Sequence, residues 1–110
     1  MGGMVEQDDK RPAGSWTFLT NHAHVLFCIV QDPEVRLRDV AARVGITERA
    51  VQRIVTDLEG EGYLVVSKEG RRNRYEVRLD LPLRHPIERH RSVRALIQLV
   101  LGAPEGTKAP

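Results

Sequence analysis

A single cysteine, Cys28, occurs in the 110 residues. An internal disulfide is therefore excluded, and the chain suits a reducing, cytoplasmic compartment. Long apolar runs are missing as well, since none approaches the ~20 residues that a membrane span needs. The opening stretch, MGGMVEQDDKRPAG, lacks the apolar segment of a signal peptide. Excess charge is small, a formal +2 with a pI near 9.0, so total charge identifies no partner. The parts of an enzyme are absent too. There is no GxxxxGK(S/T) phosphate loop, no nucleophile elbow and no paired-carboxylate cleft. A chain of this size also leaves little room for a concave catalytic pocket, and no ligand pocket or effector can be read from it. The four histidines do not fill the gap. His22 and His24 point to different faces of a helix, and His85 and His90 stand at an unhelpful spacing. With one cysteine, no zinc spacing results, and neither metal nor cofactor is expected.

What is present is a series of short periodic segments between featureless ends. Residues 1–14 and 102–110 are rich in Gly, Pro and charge and are expected to be disordered. Thr20 is placed to cap a first helix, NHAHVLFCIVQ, which should stop at Asp32-Pro33. This helix is apolar on most sides and must touch more than one neighbour. Val35 to Leu37 reads as a short edge strand. A second helix is expected over Arg38–Val44, with Val40, Ala41 and Val44 inward, Asp39 in its first turn and Gly45 ending it. Thr47 should cap a third helix running from Glu48 to about Gly60, held by Val51, Ile54, Val55 and Leu58. Tyr63–Lys68 and Arg74–Leu79 then read as the strands of a hairpin, the second alternating Tyr75, Val77 and Leu79 with Arg74, Glu76 and Arg78. Tyr63 and Tyr75 belong to the hairpin core, and Trp16 and Phe18 are expected to pack, the latter two at a subunit contact. A last helix is expected from about Pro86 to Leu101, with His85 at its start.

The functional signal lies in LRDVAARVGITERAVQRIVTDLEGEGYL, residues 37–64. Two short helices joined by a Gly turn form a helix-turn-helix unit. Ala41 lets the helices approach, Gly45 permits the turn and Ile46 plugs the corner. Arg49, Gln52, Arg53 and Thr56 then share the open face of the third helix. Arg and Gln are the residue types that pair bidentately with guanine and adenine edges in the major groove. Beyond the helix, Lys68, Arg71, Arg72, Asn73 and Arg74 gather at the hairpin, where arginine suits phosphate.

On these residues the chain resembles winged helix-turn-helix regulators of the MarR and ArsR kind, over about Thr20 to Leu79. The carrying segments are DVAARVGIT at the turn, AVQRIVTDLEGEGYL at the third helix and GRRNRY at the wing. The resemblance implies an α+β fold, a helical core with a small β-hairpin wing, plus a C-terminal helix. It further implies a recognition helix in the major groove, with Arg49, Gln52 and Arg53 on bases and Thr47 on a phosphate. The wing would lie on the backbone or minor groove. Long terminal dimer helices and a cysteine-rich metal box are absent, so no metal sensing carries over.

The domain reading is thus a DNA-binding unit over 15–81 and a C-terminal helix over 82–101. Val93, Leu96, Ile97 and Val100 form one apolar stripe on that helix, with Leu99 and Leu101 beside it. Such a surface predicts a homodimer, the alternative being a helix that folds back on its own subunit. The expected function is sequence-specific binding of double-stranded DNA in transcription regulation. Two alternatives are a winged-helix module for protein–protein contact and a chromosome-coating protein without sequence preference.

Overall fold

The computed structural model describes residues 16–102, so the expected lead-in and residues 103–110 of the tail lie outside the described residues. Three helices open the fold: α1 (Asn21–Gln31), α2 (Leu37–Val44) and α3 (Glu48–Gly60). A hairpin of β1 (Leu64–Glu69) and β2 (Arg72–Val77) follows, and α4 (Val93–Leu101) closes it.

α1 is buried all round at its centre, from Val25 to Ile29. Its two sides serve two cores. Val25, Cys28 and Ile29 pack with Val40, Val51, Ile54, Leu64 and Tyr75, whereas Leu26 and Phe27 pack with Val93 and Ile97 of α4. The helix stops where expected, at Asp32, whose extended backbone is the conformation favoured before proline. The Asp32 Oδ1 then accepts the Glu34 N–H at 3.1 Å. At the other end Thr20 makes no side-chain cap, contrary to expectation. Its carbonyl accepts the His24 N–H at 3.1 Å, and its hydroxyl takes no part.

Val35 to Leu37 is not a strand. The Val35 N–H closes a turn onto the Asp32 carbonyl at 3.0 Å, and the backbone bond from this connection to the hairpin lies before the segment, from the Tyr75 N–H to the Pro33 carbonyl at 2.8 Å. Val35 is buried there as a core residue, and Leu37 is taken into α2, one residue earlier than expected. Gly45 ends α2 at φ 87, the left-handed conformation, and its N–H returns to the Ala41 carbonyl at 2.8 Å.

The strands are offset from their expected bounds. Glu69 pairs with Arg72 and Lys68 with Asn73, which reduces the turn to Gly70 and Arg71. Gly70 takes φ 66, the positive φ that the first position of a two-residue hairpin turn requires. The arginines read as turn are thus largely ladder, and β2 begins two residues sooner.

α4 begins at Val93, well after Pro86. The stretch RHPIERHR before it has no apolar stripe to bury, and Ile87 is 77% exposed. It forms a closed loop, in which the Leu83 N–H meets the Arg91 carbonyl at 3.0 Å and the Ile87 N–H meets His85 Nδ1 at 3.1 Å. A continuous helix cannot coexist with that closure. Ser92 caps α4 by accepting the Ala95 N–H at 3.2 Å. The next two free amides, of Val93 and Arg94, donate to the Leu81 and Leu79 carbonyls. α4 folds onto its own chain, where Val93 and Ile97 are buried and Leu96 and Leu101 half-buried. Val100 and Leu99 remain outside, 44% and 80% exposed.

Candidate nucleic-acid interface

α3 organises the surface. Thr47 precedes it in extended conformation, and its Oγ1 accepts the Ala50 N–H at 3.0 Å. The cap fixes where the helix starts and leaves the hydroxyl proton available to an outside acceptor. Helical periodicity then divides the side chains. Val51, Ile54 and Val55 are buried, while Arg49, Gln52, Arg53 and Thr56 are exposed. Positions 49, 53 and 56 lie opposite the buried stripe and 52 on its flank. The side chains of Arg49, Gln52 and Arg53 make no hydrogen bond or ion pair among the described residues. Thr56 differs, since its Oγ1 donates to the Gln52 carbonyl at 3.0 Å. With its proton committed to its own helix, Thr56 offers a methyl group and an acceptor, not a donor.

The hairpin carries the second cluster. Lys68, Arg71, Arg72, Asn73 and Arg74 are all exposed, but they are not equivalent. Strand alternation puts Arg72 and Arg74 on one face and Asn73 on the other with Tyr75. Arg74 Nη1 lies 3.0 Å from Glu34 Oε2, and Arg72 Nη1 donates to the Glu34 carbonyl at 3.2 Å. Both arginines thereby tie the hairpin to the turn after α1. Asn73 Nδ2 reaches the Tyr75 hydroxyl at 3.4 Å. Lys68 and Arg71 have no such partner among the described residues. Sequence reasoning missed the Glu34 tether because the two sites are 38 and 40 residues apart and no local pattern joins them.

The remaining candidates sort by contact. Tyr75 is buried, and half-buried Tyr63 donates its hydroxyl proton to the Pro82 carbonyl, so both belong to the hairpin's packing. Trp16 and Phe18 do not enter the core. They stack on each other edge to face at 4.8 Å and are 68% and 90% exposed. His22 Nε2 meets Asp57 Oδ2 at 2.9 Å, joining α1 to α3. Among the described residues no three of His, Cys, Asp and Glu come together as a metal site, and no helix is long and apolar enough to cross a membrane.

Three helices followed by a two-stranded wing and a closing helix define a winged helix-turn-helix domain. Residues 20–65 match the family model described as winged helix-turn-helix DNA-binding. A search of curated proteins finds no match to the chain. The matched stretch runs from the cap of α1 through the turn and α3 to the start of the wing, and DNA is the partner that this class implies.

Proposed function

We propose that the protein is a transcription regulator that reads double-stranded DNA, with α3 in the major groove and the wing on the adjacent backbone or minor groove. One observation carries this reading. α3 is held by Val51, Ile54 and Val55 while Arg49, Gln52 and Arg53 stand outward without side-chain partners among the described residues. A bidentate arginine on guanine contributes ~1–3 kcal/mol of discrimination against the wrong base. Thr47, at the start of the same helix, supplies a hydroxyl to a phosphate, and Lys68 and Arg71 supply charge from the wing.

The homodimer remains part of the proposal, with its surface narrowed. Val93, Leu96, Ile97 and Leu101 pack largely within their own subunit, leaving Leu99 and Val100 as the apolar outer face of α4. A two-fold pair would set recognition helices about 34–36 Å apart and call for a palindromic site.

Selection of bound fragments from random duplexes, followed by titration of Arg49→Ala and Arg53→Ala, tests the base-reading role. Each variant should lose about tenfold or more on the selected site and much less on random duplex. Equal losses on both would assign these arginines to the backbone. A chain that ignores duplex DNA at low salt would remove the reading altogether.

A further inference from the structure

A cleft of about 610 Å³ opens between the start of α1, the end of α3 and the segment leading into α4. Its volume lies in the range of small-molecule sites, ~300–1,000 Å³. The floor is apolar and includes Ala23, Leu26, Leu58, Val93 and Leu96. The polar groups of its lining are unevenly charged. Asp57, Glu61 and Glu88 supply three carboxylates, against the Arg84 guanidinium and the His22 imidazole. Asp57 is bonded to His22, and Glu61 stands 4.0 Å from Arg84, at the limit of an ion pair. Glu88 has no side-chain partner among the described residues. Phe18, almost wholly exposed, stands at the lining in edge-to-face contact with Trp16.

We infer that this cleft is a binding site for an organic cation with an apolar body. An apolar floor takes up the body of such a ligand by removing its surface from water. The surplus carboxylates select positive charge, and the face of an exposed aromatic ring attracts a cation in the same way. An anionic ligand of equal shape would meet repulsion from Asp57, Glu61 and Glu88. The cleft also shares an element with the DNA-facing surface, because Asp57, Leu58 and the base-facing residues all belong to α3. A ligand that orders or shifts α3 therefore changes the affinity for DNA, and by linkage DNA changes the affinity for the ligand. The site itself does not depend on the DNA-binding reading; only this coupling does.

The test uses the full chain without DNA and two probes of one shape and opposite charge, tetraphenylphosphonium and tetraphenylborate. Trp16 is the sole tryptophan, so its fluorescence reports on the Phe18 side of the cleft. Tetraphenylphosphonium should change the emission saturably, with a matching heat in calorimetry, and tetraphenylborate should bind much more weakly. The Asp57→Asn/Glu88→Gln double variant should bind the cation about tenfold more weakly while keeping its circular dichroism. If the double variant does not fold, Glu88→Gln alone, in an exposed loop, should give a smaller loss in the same direction. Equal binding of both probes, no saturable signal, or unchanged cation affinity in the folded variants would overturn the assignment. So would a cleft-filling Leu83→Trp that lowers the sedimenting mass but leaves cation binding intact, since the occupant would then be a second copy. Cation binding in a chain that ignores DNA would leave the site standing and remove only the coupling.

Discussion

Gly45 shows how much one residue carries here. Its φ of 87 turns the chain from α2 toward α3, and a Cβ at this position would meet nothing within 4 Å. Space is therefore not the reason for glycine; the left-handed backbone is. Gly45→Ala should cost about 1–2 kcal/mol from that conformation alone, read as a lower midpoint in urea with an unchanged slope. Because Thr47 begins α3 two residues later, the same variant should also disturb the register of Arg49 and Arg53. Its loss of DNA affinity should then exceed the fraction of chain unfolded at assay temperature. Thr56 is a second residue whose role the structure sharpens. Its proton returns to the Gln52 carbonyl, so it can discriminate a base only through its methyl group or as an acceptor.

At the scale of elements, the wing divides into tethered and free charges. Arg74 is paired with Glu34, whereas Lys68 and Arg71 are not paired among the described residues. A Lys68→Ala/Arg71→Ala variant should bind every duplex more weakly and by a similar factor. Its salt dependence, the slope of log K against log salt, should flatten by ~0.9 for each phosphate that is no longer neutralised. Glu34→Gln should act in the opposite direction, releasing Arg74 toward DNA and steepening that slope. A gel-shift series at several salt concentrations on one selected and one random duplex measures both. The elements themselves were largely legible in the sequence where a local signal marks them. Asp32-Pro33, Gly45 and Thr47 bound α1, α2 and α3 close to their observed limits, because caps and breakers act within one turn. The start of α4 was not legible in the same way. Pro86 offered an apparent first position, but no apolar stripe follows it until Val93, and a helix without a face to bury does not form there. The better signal was Ser92 ahead of VRALIQLVL. The Glu34 tether and the cleft were out of reach for another reason, since both arise from segments that meet only in three dimensions.

For the molecule as a whole, the proposed dimer rests on the outer face of α4. Leu99 and Val100 are the apolar residues that this helix leaves in water, while its inner face closes the second core. Leu99→Ser/Val100→Ser should convert a dimer into a monomer in sedimentation at micromolar concentration, with little change in melting temperature in the dilute limit. A wild-type chain that already sediments as a monomer would assign DNA binding to single domains, and the palindromic half-site spacing would go with it. In either state each subunit keeps two cores joined by shared residues, because Leu58 and Val77 pack against both.

α1 runs between those cores with no side open at its centre, and its one thiol, Cys28, is 5% exposed. A thiol so placed does not react from the folded state, where reagent cannot reach it. Labelling of Cys28 therefore has to wait until α1 leaves the first core, where α2, α3 and the hairpin all meet it, an opening as large as the loss of the entire fold. Its rate under mild alkylation should follow global unfolding, tracking urea point by point, so that the chain carries its own stopwatch. Fast labelling in native buffer would mean instead that the first core opens around Cys28 while the rest of the chain stays folded.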